Sequence, residues 1–184
     1  MDCTLCKNRI CREGEKCAIV SFDNDEVLAR YQQEQPIVQA AARLVDNGRA
    51  GTLPRLMEIV ELAHLLKMQK LALAYCYGME NDARSVAQYL RKEGFTVEAA
   101  SCTVGGLAQN QINTESNNCK VACNPIGQAL QLNQRQPDLV ITMGLCLGHD
   151  LLFQRNIKTD TTTLLVKDRV HQHQPLLALE SIKN

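Results

Sequence analysis

From Pro36 onward, apolar positions recur in two rhythms, and the switches between them mark helices and strands. Ile37, Ala40, Ala41, Leu44 and Val45 fall on one helical face, with Gly48 placed as a carboxyl-terminal stop. Thr52 before Leu53-Pro54 marks a second helix start, and Leu56, Ile59, Val60, Ala63 and Leu66 continue its stripe. Leu71–Cys76 is a short continuous apolar run, the pattern of a strand. A helix from Glu80 or Asn81 to Glu93 follows, with Ala83, Val86, Ala87 and Leu90 inward and Gly94 at its end, and Phe95–Cys102 is the second strand. Such a β-α-β unit requires a right-handed crossover and a parallel pair. Asn124 as N-cap and Pro125 in the first turn predict a helix over 125–134. Leu139–Met143 has the composition of a strand buried on both faces, and Thr161–Val166 is the fourth. The expectation over 36–184 is a three-layer α/β domain, Rossmann-like or flavodoxin-like, on a mostly parallel four-stranded sheet.

Residues 1–17 break this rhythm, with few apolar positions but with Cys3, Cys6, Cys11 and Cys17 spaced C-x2-C-x4-C-x5-C. Two thiolates two residues apart can hold one ion, and four can complete a tetrahedral zinc site or carry a four-iron cluster. Lys7, Arg9, Arg12 and Lys16 favour the thiolates electrostatically in either case. So apolar-poor a segment needs a metal to fold it. The reading is a metal module over 1–20, then a polar, acidic linker over 21–35 with one short helix, the one plausible domain boundary.

The formal net charge is zero, which removes the usual electrostatic case for nucleic acid or an anionic membrane. With no tryptophan, three phenylalanines and four tyrosines, no base-stacking platform is apparent. No apolar run approaches the roughly 20 residues of a bilayer span, and the opening residues lack a signal-peptide core, so the expected location is cytoplasmic. There thiols stay reduced, and nine cysteines point to metal or redox roles rather than a disulfide framework.

Four of the remaining cysteines fall where parallel sheets bind ligands, at the carboxyl ends of strands. Cys76 and Cys102 close the first two strands and share one edge. Cys123 precedes a helix N-terminus, where the helix dipole favours the thiolate. Cys146 lies between two glycines in Gly-Leu-Cys-Leu-Gly-His-Asp (144–150), beside His149 and Asp150. Cys76, Cys102, Cys123 and Cys146 can hold a second metal or an iron–sulfur cluster, with one position open for substrate. Alternatively the edge is metal-free, with Cys123 or Cys146 as nucleophile and His149 as base. The polar stretch 103–118 reads as a flap over this edge. It has neither G-x-G-x-x-G nor a Walker lysine, so nucleotide binding is not indicated. His64 reads as a helix-surface histidine, and His171 and His173 lie in a polar tail near the edge.

Cys-Asn-Pro-Ile-Gly-Gln-Ala (123–129), Gly-Leu-Cys-Leu-Gly-His-Asp (144–150) and Thr-Thr-Leu-Leu-Val-Lys-Asp-Arg-Val (162–170) resemble the signature of an uncharacterised prokaryotic family described as a predicted metal-binding domain of unknown function. The amino-terminal cysteine array, the strand ending in Cys76 and the Cys102-Thr-Val-Gly-Gly loop resemble it too. The resemblance implies metal ligation by Cys3, Cys6, Cys11 and Cys17, with Cys76, Cys102, Cys123, Cys146, His149 and Asp150 as signature positions. It also selects His173 over His171. The amino-terminal cysteines are more closely spaced than in the family, and Cys119 is additional. The functional expectation is a metal-binding protein, iron–sulfur or zinc, with redox or sulfur-handling chemistry at the strand-end cysteines, acting on a small molecule or a redox partner. The alternatives are a non-catalytic regulatory or binding protein with a structural zinc module, or a metal-free cysteine-dependent enzyme.

Overall fold

A computed structural model describes residues 2–182. The chain forms two compact units, residues 1–43 and 44–184. In the first, single 3-10 turns at Cys3–Leu5 and Ile10–Glu13 precede α1 (Asn24–Gln33) and most of α2 (Gln35–Val45). Asp2 caps the first turn by accepting from the Thr4 N–H at 2.8 Å, and Asp23 caps α1 by accepting from the Asp25 N–H at 3.0 Å. The acidic stretch 21–35 is therefore largely one ten-residue helix. No residue in 2–39 is buried.

The second unit runs α3 (Arg55–Leu65), β1 (Lys70–Tyr75), α4 (Glu80–Lys92), β2 (Thr96–Ser101), α5 (Gln109–Ile112), α6 (Pro125–Arg135), β3 (Leu139–Met143), α7 (Leu147–Asn156), β4 (Thr161–Leu165) and α8 (Ala178–Ile182). Its sheet is wholly parallel, in the order β2-β1-β3-β4. The predicted strands and the helices α4 and α6 are present with ends shifted by about a residue, α7 in the β3–β4 crossover is an addition to the predicted elements, and the unit is a Rossmann-like three-layer α/β fold.

Alternation along the strands builds two cores. Leu71, Leu73, Leu139, Ile141 and Met143 pack on one face against Ile59, Val60 and Ala63 of α3 and Ala83, Ala87 and Leu90 of α4. Ala72, Ala74, Ala100 and Val140 pack on the other against Ala129 and Leu132 of α6 and Phe153 of α7. Right-handed crossovers explain this distribution. The chain steps from β1 to β2 in one direction, then from β2 over β1 to β3 and on to β4 in the other. Helix α4 must therefore lie on one face and α6 and α7 on the opposite one. That leaves half of the first face for α3, which precedes the sheet in sequence. The step reverses between β1 and β3, so their carboxyl ends flank the crevice where such sheets bind ligands.

The polar stretch after β2 has structure of its own. Ala108 and Val121 form an antiparallel bridge around α5, the Gln109 N–H donates to the Lys120 carbonyl at 2.9 Å and the Ala122 N–H to the Leu107 carbonyl at 2.8 Å. It is an excursion folded on itself that returns the chain to the end of β2. Among the described residues, no helix is long and apolar enough to cross a membrane.

Candidate functional site

The strands remain hydrogen-bonded past their last residues, which brings the cysteines to one level. The Cys76 N–H donates to the Met143 carbonyl at 3.1 Å, the Cys102 N–H to the Tyr75 carbonyl at 2.9 Å, and the Gly144 N–H to the Leu165 carbonyl at 2.8 Å. Gly144 turns the chain out of β3 at φ +63°, where a Cβ would come within 3.0 Å of the Met79 Cγ. A side chain here would meet backbone strain as well as a tight approach to Met79, so the positive φ of the turn favours glycine before Cys146. The excursion closes with the Asn124 N–H donating to the Cys102 carbonyl at 2.6 Å, and Asn124 caps α6 through the Gly127 N–H at 2.9 Å. Cys123 is thereby delivered beside Cys102.

Cys76, Cys102 and Met79 form a buried cluster, with Cys123 and Leu165 packed on it. The Cys102 and Cys123 Sγ atoms are 3.5 Å apart, and the Tyr77 N–H donates to the Cys102 Sγ at 3.3 Å. Two cations from the segment after β4 face the thiols. Lys167 Nζ donates to the Cys76 Sγ at 3.5 Å, and the Arg169 guanidinium donates to the half-buried Cys146 Sγ at 3.2 Å. Among the described residues, neither cation is ion-paired with a carboxylate. Arg169 is held above its ordinary value first by that hydrogen bond, then by the charges of Cys146 and, more weakly, Cys76. Asp168, between the two cations in sequence, accepts from the Val170 and His171 N–H groups at 2.9 and 3.0 Å. The His173 Nδ1 accepts the Asp168 N–H at 3.0 Å, so the histidine singled out by its place before Pro175 anchors the cation-bearing segment.

Burial pushes the Cys102 thiol up to about 12, with the neighbouring Cys123 and Cys76 adding to the rise and the Tyr77 N–H opposing it. An unfolded thiol gives up its proton at about 8.5, so between there and 12 the unfolded chain binds fewer protons than the folded one. Stability from Cys102 is thus flat below that range and falls as pH rises through it. In urea unfolding of reduced protein, the stability difference between wild type and Cys102→Ala is expected to shrink or reverse from pH 8 to 10. A difference independent of pH would contradict the buried, protonated thiol.

His149 and Asp150 occupy the first turn of α7, both half-buried. Among the described residues no hydrogen bond joins His149 to Cys146 or Cys123; the group bonded to Cys146 is Arg169. The Asp150 N–H donates to the Cys146 carbonyl at 2.8 Å, while its Oδ1 is buried without a hydrogen-bond partner among the described residues. Cys119 is exposed, its thiol bonded to Asn110 and Asn117 within the excursion. His64 is exposed on α3 and stacks on Phe95 with ring centroids 4.6 Å apart.

Three contributors escape the sequence reading: Lys167, Arg169 and Gln128. The first two lie in a motif already singled out, but nothing along the chain shows that they face thiols. Gln128, wholly buried in α6, donates from Nε2 to the Tyr75 and Ala100 carbonyls at 3.1 and 2.7 Å. It ties the ends of β1 and β2 beneath the thiols. A polar residue on the inward face of an amphipathic helix is the signal that could have found it.

In the first unit, Cys3, Cys6, Cys11 and Cys17 line one cavity of about 340 Å³ with Arg9, Arg12, Ile19 and Val20. The Arg9 N–H donates to the Cys6 Sγ at 3.4 Å, and Arg9 itself turns the chain at φ 50°. An all-thiol donor set around one cavity fits zinc or an iron–sulfur cluster. Among the described residues, no three Cys, His, Asp or Glu side chains stand at coordination distance of one point, so binding an ion would draw these thiols inward.

Residues 17–164 match the family model described as "Protein of unknown function (DUF1847)". "Uncharacterized protein MJ0455" of Methanocaldococcus jannaschii is 34% identical over 177 residues, covering 94% of this chain and 90% of the relative. No solved structure matches the chain. A family match over most of the chain and a near full-length relative agree: the chain belongs to the DUF1847 family of proteins of unknown function.

Proposed function

We propose that this protein binds a metal through Cys3, Cys6, Cys11 and Cys17 and carries out redox or sulfur-handling thiol chemistry at Cys76, Cys102, Cys123 and Cys146. The observation that carries the reading is the partition of the cysteines. Eight of the nine fall into two sets of four, one lining a single cavity and one gathered around the strand ends, leaving out only Cys119. Isolated cysteines that merely pack as small hydrophobes have no reason to sort this way.

The two sets suit different work. The amino-terminal thiols stand in a unit with almost no apolar core, where metal ligation supplies the free energy of folding. Zinc there would act as a structural crosslink, and an iron–sulfur cluster would add electron transfer. The strand-end thiols instead stand on a rigid sheet edge, some buried and some accessible, with Lys167 and Arg169 donating hydrogen bonds to Cys76 and Cys146.

The test is an anaerobic preparation of the full chain assayed for zinc, iron and acid-labile sulfide, alongside Cys146→Ser. Bound metal in both proteins, with loss of a fast-reacting thiol in the variant, is the expected result. Iron with matching sulfide assigns a cluster and zinc without sulfide assigns zinc. A full chain without metal would overturn the first half of the proposal. Metal retained beside strand-end thiols no more reactive than Cys119 would overturn the second and leave a zinc-stabilised binding protein.

A further inference from the structure

Within that reading, which this inference presupposes, we propose that Cys102 and Cys123 are a working dithiol that reduces a small anionic disulfide, Cys123 attacking and Cys102 resolving. The pair is distinguished from the other strand-end thiols by contact. Its Sγ atoms are already 3.5 Å apart, against about 2.05 Å in a disulfide, so side-chain movement closes the bond. The backbones are held together by the 2.6 Å hydrogen bond from the Asn124 N–H to the Cys102 carbonyl, which keeps the pair in register in either redox state.

The division of labour follows from burial. Cys123 is half-buried, whereas Cys102 is 2% exposed and beyond direct reach of a substrate. In the first step the Cys123 thiolate attacks one sulfur of the substrate disulfide RSSR. A Cys123–SR bond forms, the substrate S–S bond breaks, and RS⁻ departs with the electron pair and takes up a proton. In the second step the Cys102 thiol loses its proton and its sulfur attacks the Cys123 Sγ. The Cys102–Cys123 bond forms and the second RS⁻ leaves, to be protonated in turn. The sum is two protein thiols plus RSSR giving one protein disulfide plus two RSH. Two electrons pass from protein to substrate, and no other oxidant is needed.

The substrate class comes from the surroundings. Lys167 contacts Cys76 in the same cluster, Arg169 lies beyond it at Cys146, and neither is neutralised by a carboxylate among the described residues. A half-buried sulfur packed on the cluster that Lys167 reaches, with Arg169 at Cys146, suits a small disulfide bearing carboxylates.

The test uses the reduced full chain with 5,5′-dithiobis(2-nitrobenzoate), a small dianionic disulfide, and with uncharged 2,2′-dithiodipyridine, each followed by peptide mapping. The expected product is a peptide crosslinked at Cys102 and Cys123 with no reagent retained, formed several-fold faster with the anionic reagent. Cys102→Ser is expected to retain the reagent on Cys123, and Cys123→Ser to lose the crosslink. Because wild type reports the crosslink directly, a variant that fails to fold does not remove the test. A reagent adduct persisting on Cys123 in wild type, or Cys123 crosslinked to Cys76, would overturn the dithiol. If Cys146 still labels fast and metal is still bound in that case, the broader reading stands and this inference alone fails. Equal rates with the two reagents would overturn the anionic substrate class.

Discussion

Cys6→Ser is expected to abolish metal binding by the amino-terminal module and to leave the α/β unit folded. Cys6 is one of four thiols lining the cavity, and its sulfur accepts the Arg9 N–H at 3.4 Å. Such a bond stabilises a thiolate ligand and fixes the turn that carries it. A serine hydroxyl is a poor substitute for a thiolate toward zinc or iron. Because no residue in 2–39 is buried, apolar packing cannot replace the lost ligand there. Elemental analysis should show metal falling to background, and limited proteolysis should cut within 2–20 in the variant but not in metal-loaded wild type. The core of residues 44–184 has its own apolar clusters and should unfold at an unchanged urea concentration. Full metal retention in Cys6→Ser would exclude Cys6 as a ligand.

Phe153→Ala is expected to cost the α/β unit about 3–5 kcal/mol, a large share of the stability of a domain this size. Phe153 is fully buried where α7 meets the sheet, among Ala72, Ala74, Ala100, Ala129, Leu132 and Val140. Four of those neighbours are alanines, with no side chain long enough to move into the space, so the cavity stays open and the cost falls toward the upper end. The effect reaches the site because α7 begins directly after Cys146. With its anchor gone, the Cys146–Arg169 contact should loosen as stability falls. Urea unfolding measures the first effect, and the alkylation rate of Cys146 the second.

The sheet could be read along the chain because its central strands are buried on both faces. Leu71–Ala74 and Leu139–Met143 show as continuous apolar runs for that reason. The β-α-β rule then placed Cys76 and Cys102 on one edge, and Asn124-Pro125 announced α6. What could not be read was proximity set by chain closure. Cys123 meets Cys102 only because the excursion from 103 to 122 folds on itself and returns, and no local pattern encodes where a polar loop ends. Lys167 and Arg169 were hidden for a related reason. Strand β4 is half-exposed and its position beside β3 depends on crossover direction, so the partner of any residue after it is a property of the assembled sheet. Gln128 was hidden because its two acceptors are carbonyls at the ends of two other elements.

For a strand-end edge that acts as a thiol site shaped by its cations, Cys119 is a built-in control. It is exposed and bonded only within the excursion, whereas Cys146 is half-buried but faces Arg169. The decisive measurement is timed alkylation of the reduced full chain with iodoacetamide, read residue by residue by peptide mapping in wild type and Arg169→Gln. Cys146 is expected to be modified ahead of Cys119 despite its lower exposure, and Arg169→Gln to slow Cys146 several-fold while leaving Cys119 unchanged. Modification that simply follows exposure, with Cys119 first and no response to Arg169→Gln, would contradict a thiol site shaped by its cations.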